Sequence, residues 1–236
     1  MTTAQSGLVV ALDGPGSSGK SSVGAAAAAR LGYRFCDTGL LYRAATWLAL
    51  RRAVAPSDSA GLVSLVAEID LVPDATGRLA HVTVDGVDVT DEVHSPSVDE
   101  AVSAVSGVAE LRTALLERQR RLAAEPGGIV MAGRDIGTVV LPDADLKIFL
   151  DASVEERARR RAQERGVTSD SAAGRYILAQ LRRRDDLDRN RAVAPLRPAS
   201  DAVHIVTDGN AFHETVDAVV AAIESAMEGA ALARRR

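Results

Sequence analysis

Short apolar runs alternate with longer amphipathic stretches along most of the chain. Leu8-Val9-Val10-Ala11-Leu12 is unbroken and of strand length. A glycine- and serine-rich turn follows, and then an alanine-rich stretch to Leu31 without proline, which predicts a helix. Tyr33-Arg34-Phe35-Cys36 predicts a second strand, and Thr38 stands as an N-cap for a helix reaching about Arg52. Two more apolar runs, 129–132 and 146–150, predict buried strands; a last strand is expected at 204–206 and a closing helix over 214–227. Strand–helix alternation of this kind predicts an α/β chain with a parallel sheet and right-handed crossovers. Ligands of such sheets sit at the carboxyl ends of the strands.

Residues 53–106 break the alternation. A helix is predicted over 60–69. His81-Val82-Thr83-Val84 and Val87-Asp88-Val89 flank Asp85-Gly86, a hairpin signal. A short helix over 96–106 follows, and then an amphipathic one over 111–122 with Arg112, Arg118, Arg120 and Arg121 mostly on its polar side. We read 53–106 as an inserted substrate-side subdomain. In 153–191 arginine is densest. Ser153-Val154-Glu155-Glu156 predicts a capping box, followed by Arg157, Arg160, Arg161 and Arg165, a break at 166–170, and a second helix ending in the run from Arg182 to Arg191. Two solvated helices with charge pairs would satisfy this pattern. A lid whose arginines neutralise transferring phosphates satisfies it too, and is preferred because the chain carries a phosphate site to cover. The expected division is a core of 1–52, 107–152 and 192–236, the insertion, and a lid of 153–191. Arg234–Arg236 reads as a frayed tail.

That phosphate site is Gly14-Pro15-Gly16-Ser17-Ser18-Gly19-Lys20-Ser21-Ser22, a G-x-x-x-x-G-K-S loop between predicted strand and predicted helix. Glycines without a Cβ let phosphate approach the main chain. Successive N–H groups and the helix N-terminus bind its oxygens. Lys20 is expected on the β- and γ-phosphates of ATP, and the Ser21 hydroxyl on Mg²⁺. Only Lys20 and Lys147 are lysines; the other 26 of the 28 basic residues are arginine.

Composition narrows the partners. At 236 residues, 47% hydrophobic and 25% charged, the chain can bury a core. A net charge of −4 argues against nucleic acid and membranes as partners. One cysteine, Cys36, leaves no intrachain disulfide and no multi-cysteine metal site. The four histidines lack ligand spacing. With no basic stretch before a first apolar run too short to span a bilayer, a cytoplasmic protein is expected.

A phosphate loop identifies a nucleotide donor but not the acceptor, which could be water, an alcohol or a phosphate. An alcohol wants a carboxylate base. A phosphomonoester, already a dianion near pH 7, wants arginines instead. Arg43, Arg134, Arg184 and Arg191 fall near the predicted active edge, so a phosphate acceptor is favoured. A kinase for another metabolite, a nucleotide sensor and an RNA-binding protein are the alternatives.

The chain resembles bacterial cytidylate kinases, which are nucleoside monophosphate kinases of the P-loop type. The resemblance runs nearly end to end and rests on Asp37-Thr38-Gly39 with Tyr42-Arg43, on Gly133-Arg134-Asp135-Ile136-Gly137-Thr138-Val139-Val140, and on Arg184-Asp185-Asp186 through Asp188-Arg189-Asn190-Arg191-Ala192-Val193-Ala194-Pro195-Leu196. It implies an ATP- and Mg²⁺-dependent kinase converting CMP or dCMP to the diphosphate. The implied architecture is a five-stranded parallel core with an enlarged insertion and a short lid, working as a monomer. It puts Thr38 near the nucleotide, Arg43, Arg134 and Arg191 on the CMP phosphate, Ser103, Arg112 and Asp135 on the cytosine edge, and Arg184 and Asp188 on the sugar. Arg157, Arg160 or Arg161 would then close over the transferring group.

Overall fold

The computed structural model describes residues 7–233, so the expected tail at 234–236 lies outside it. The first apolar run becomes β1 (Val9–Asp13), and the alanine-rich stretch α1 (Lys20–Leu31). β2 (Arg34–Asp37) and α2 (Gly39–Arg51) follow. Later come β6 (Ile129–Gly133), β7 (Leu146–Asp151) and β8 (Val203–Val206). These five strands are parallel in the order β2-β6-β1-β7-β8. Period-two alternation divides their side chains. Val10, Leu12, Val130 and Ala132 pack against Val23 and Ala27 of α1 and against Val219 and Ile223 of α8 (Phe212–Ala233). Ala11, Cys36, Ile129 and Met131 face the other way, toward Ala123 of α5 (Ala109–Ala124).

The register aligns the functional edge. Asp13 lies opposite Gly133, and Asp37 opposite Ala132, so the strands end in step where the phosphate loop leaves β1. Gly14 shows why glycine begins that loop. A Cβ there would stand 2.2 Å from the Leu150 carbonyl oxygen, a hard overlap with β7.

The insertion departs from expectation. The predicted helix over 60–69 ends early: α3 (Ser59–Ser64) passes into a 3-10 turn (Leu65–Glu68), and Ile69–Pro73 forms a strand, β3. Ile69 is buried and Asp70 exposed, an alternation too short to stand out before Pro73. β3 pairs antiparallel with β4 (Arg78–Val84), which turns through Asp85-Gly86 into β5 (Val87–Asp88). Both turn residues have positive φ, as a two-residue hairpin turn of the primed kind requires. The strands of the insertion also join the main sheet, because β4 pairs parallel with β2 through Phe35–Arg78 and Cys36–Leu79. α4 (Pro96–Ser106) and α5 close a second core with α2 around Leu41, Leu62, Val93, Val102 and Leu115.

Two caps differ from the sequence reading. Thr38 makes no side-chain cap; its Oγ1 donates to the Ala132 carbonyl at 2.9 Å. Asp37 serves instead, accepting from the Gly39 N–H at 2.9 Å. Ser153 does cap α6 (Val154–Glu164), accepting from the Glu156 N–H, but the box is not reciprocal. The Ser153 N–H goes to Asp208, and Glu156 holds Arg159 and Arg160. The break at Gly166 leads to α7 (Ala172–Asn190), whose N-cap is Ser171. Among the described residues no helix is long and apolar enough to cross a membrane.

Candidate active site

A cleft of about 1460 Å³ opens at the carboxyl edge of the sheet. The phosphate loop forms one bank. Ser17 and Gly19 hold positive φ, which turns successive N–H groups inward. Lys20, 5% exposed, donates to the Pro15 carbonyl at 3.0 Å, a contact that folds it back over the loop. Burial, and then Arg134, hold its pKa well below that of an ordinary lysine. The Ser18 hydroxyl is buried without a hydrogen-bond partner. Ser21 donates to the Asp37 carboxylate at 2.5 Å, where α1 begins and β2 ends.

The opposite bank is a lattice of arginines and carboxylates. Arg112 is buried, not on a solvated face. It pairs with Asp135, donates to the Ser106 carbonyl at 3.0 Å, and lies over the Tyr42 ring at 5.1 Å. Asp135 also takes Arg191 at 3.4 Å. Arg134 donates to Asp188 at 3.2 Å, and Arg184 stands 4.0 Å from the same carboxylate. The Arg184 Nε is buried without a hydrogen-bond partner. Burial first, and Arg134 next, lower the Arg184 pKa to about 10. Both arginines lean over the phosphate loop: a Cβ on Gly16 would stand 3.5 Å from Arg134 Nη2 and 3.7 Å from Arg184 Cδ. Cations crowded this closely are stabilised by any polyanion placed between them.

Of the sequence-predicted residues, the cleft brings together Gly16, Ser17, Ser18, Gly19, Lys20, Ser21 and Ser22 with Thr38, Arg43, Ser103, Arg112, Arg134, Asp135, Arg184, Asp188 and Arg191. Arg160 and Arg161 reach it from α6. Gly14 and Pro15, the first residues of the loop, do not line the cleft. Arg157 corrects the sequence reading most. It is 1% exposed, forms a bidentate pair with Asp185, and donates to the Gly16 carbonyl at 3.0 Å. It therefore braces the phosphate loop from below and does not hang over the cleft. Arg160 is tied to Thr207 and Glu156, and Arg161 to Asp99 and Glu164.

Three carboxylates matter that the sequence reading did not assign. Asp13 ends β1 and accepts from Ile136 N–H at 2.8 Å and Gly137 N–H at 2.7 Å. Burial raises its pKa to about 6 against those two bonds. It thereby positions the π-helical turn (Ile136–Val140) that follows Arg134 and Asp135. Its place at the last residue before the loop was a usable signal. Asp37, at the end of the predicted second strand and the head of the Asp37-Thr38-Gly39 motif, carried a signal of the same kind; Asp99 carried none beyond its charge. Among the described residues no cluster of His, Cys, Asp and Glu could hold a metal by itself.

The chain has clear relatives. The cytidylate kinase family model matches residues 10–225. The cytidylate kinase of Nocardia farcinica (strain IFM 10152) is 48% identical over 213 residues, 89% of this chain and 90% of that protein. That of Corynebacterium diphtheriae (strain ATCC 700971 / NCTC 13129 / Biotype gravis) is 42% identical over 229 residues, 95% and 97%. The solved structure of an uncharacterized protein from Eubacterium ventriosum ATCC 27560 covers 92% of this chain and 98% of its own, with a TM-score of 0.51 at 14% identity, a likeness of fold alone.

Proposed function

The chain belongs to the cytidylate kinase family, and we propose that it transfers the γ-phosphoryl group of ATP to the phosphate of CMP or dCMP through the residues of this cleft. The observation that carries the reading is the pairing of two banks in one cleft: a phosphate loop faces a buried Arg112–Asp135 pair, with Arg134 and Arg184 between them.

The division of labour follows from the chemistry of each group. The loop N–H groups and Lys20 hold the donor phosphates, and a bound anion would favour the charged Lys20 that burial opposes. Arg43, Arg134 and Arg191 hold the acceptor phosphate close to the donor, and this is where proximity lowers the barrier. Arg184 and Asp188 take the sugar. At the base, cytosine offers an amino donor beside ring and carbonyl acceptors. Asp135 accepts from the amino group, while Arg112 and Ser103 donate to the acceptors. Uracil reverses part of this pattern and leaves buried groups unpaired. Asp135 and Asp188 are both engaged by arginines, and a phosphate dianion needs no base to remove a proton.

Ser21 and Asp37 fit Mg²⁺: a hydroxyl and a carboxylate, both hard oxygen donors, meet at the mouth of the loop, and the phosphates would complete the shell. When bound there, Mg²⁺ supplies charge neutralisation on the transferring phosphates. We take a monomer as the working unit, as the family resemblance implies.

The test is ADP release from Mg-ATP with each nucleoside monophosphate in turn and without acceptor. Fast turnover with CMP and dCMP is expected. Preference for AMP, GMP or an alcohol would overturn the base-edge assignment, and equal release without acceptor would make the protein an NTPase.

A further inference from the structure

Asp99 lies in the first turn of α4, on the insertion, and is 19% exposed at its side chain. Its Oδ1 accepts from Arg43 Nη2 at 2.7 Å. Its Oδ2 accepts from Arg161 at 3.2 Å and from Arg165 at 2.8 Å. One carboxylate therefore joins α2 of the core, α4 of the insertion and the far end of α6. The next residue, Glu100, accepts from the Tyr176 hydroxyl of α7 at 3.1 Å, a second tie between the same helix and the lid.

Two features make this more than a surface ion pair. Arg43 is largely buried, and its fork is also held by the Val93 carbonyl at 3.0 Å, so both contacts aim a guanidinium that keeps further N–H groups for an anion. In addition, Arg157 and Arg161 of α6 and Arg165 at its C-cap recur at i, i+4 spacing along one side of the helix. Arg157 grips Gly16 of the phosphate loop and the other two grip Asp99. That stripe makes a rod between the donor loop and the acceptor insertion. Burial resists ionisation of Asp99, but Arg43 and Arg161 outweigh it and keep the carboxyl charged.

We propose that Asp99 is a positioning residue that couples acceptor binding to the lid: it aims Arg43 at the acceptor phosphate with one oxygen and docks α6 with the other. Binding of a nucleoside monophosphate at Arg43 fixes Asp99, and Asp99 fixes Arg161 and Arg165. The effect is reciprocal, since a docked lid holds Arg43 in its binding geometry. The proposal rests on the reading of Arg43 as a grip on the acceptor phosphate.

The experiment is hydrogen exchange on the full chain with saturating CMP and no ATP, together with CMP affinity by calorimetry. In the parent protein CMP is expected to slow exchange both at 129–140 and across the turn between α6 and α7. Asp99→Asn should bind CMP about tenfold more weakly, the effect of losing one charge-assisted hydrogen bond. At saturation it should still protect 129–140 but no longer the lid. Arg165→Gln, an exposed change, should reduce lid protection and, by the same reciprocity, weaken CMP binding by about two- to threefold; it decides the matter alone if Asp99→Asn does not fold. Undiminished CMP-induced lid protection in the variants would overturn the coupling. Arg43→Gln binding CMP as tightly as the parent would overturn the assignment of Arg43 itself, and the proposal with it.

Discussion

At the scale of single residues, the site runs on charges held where solvent would not hold them. Asp13 is the clearest case, with its pKa raised from 3.8 to about 6 by burial. The fold favours its acid form, so its contribution to stability is full below pH 3.8 and is lost as pH rises through about 6. Asp13→Asn removes the titration, at a pH-independent cost from the amide NH2 that replaces one acceptor of the Ile136 and Gly137 N–H groups. Urea denaturation of both proteins from pH 4 to 7 should show the parent losing about 2.4 kcal/mol relative to the variant; parallel curves would refute the assignment. Asp135 makes a different prediction. In Asp135→Asn an amide faces Arg112 and Arg191, and the acceptor proposed for the cytosine amino group is weakened. CMP turnover at low substrate should fall about a hundredfold, and the preference for CMP over UMP should narrow, as steady-state kinetics on both would read. A fall in kcat at unchanged CMP affinity would count against a role at the base edge.

At the scale of elements, α6 holds the result that sequence reading missed. Its arginines looked like a lid because they are dense and follow a phosphate motif. Arg157 is instead shut inside against Asp185. Arg157→Met should cost about 3–5 kcal/mol by leaving a buried carboxylate unpaired, and Arg157→Met with Asp185→Leu should recover most of it. Thermal melts decide this, because an arginine acting only over the cleft would leave stability unchanged in both. The contrast marks what local pattern can carry. The phosphate loop, the parallel strands and the Asp85-Gly86 turn were legible, because each is determined by neighbours in sequence. Arg157 and Asp99 were not, because an arginine in α6 and an acid in the first turn of α4 look like ordinary helix residues until distant partners arrive. Strand β3 was hidden for another reason: three alternating residues before Pro73 are too few to outweigh the helical spacing that precedes them.

At the scale of the whole molecule, the proposed function puts ATP and CMP on different parts of the cleft, so each ligand should stabilise the fold separately. ATP alone and CMP alone, at about a hundred times their dissociation constants, should each contribute about 2.7 kcal/mol. For a chain of this size that raises the melting temperature by on the order of 5–10 °C. Scanning calorimetry with each ligand, and with UMP as the weaker control, checks this; no shift with CMP would remove the acceptor site from this cleft.

The same scale gives meaning to the narrow seam where β4 meets β2, just two residue pairs wide. Through it the proposed acceptor side is welded to the sheet that carries the phosphate loop, whereas α6 and α7 span from β7 to β8 as a crossover. A weld this short can twist but cannot part without breaking the ladder. The two walls of the cleft are thus held in unequal ways: one is an elastic flange, stiff in the plane of the sheet, and the other an arch footed at β7 and β8 and pinned to the phosphate loop by the side chain of Arg157.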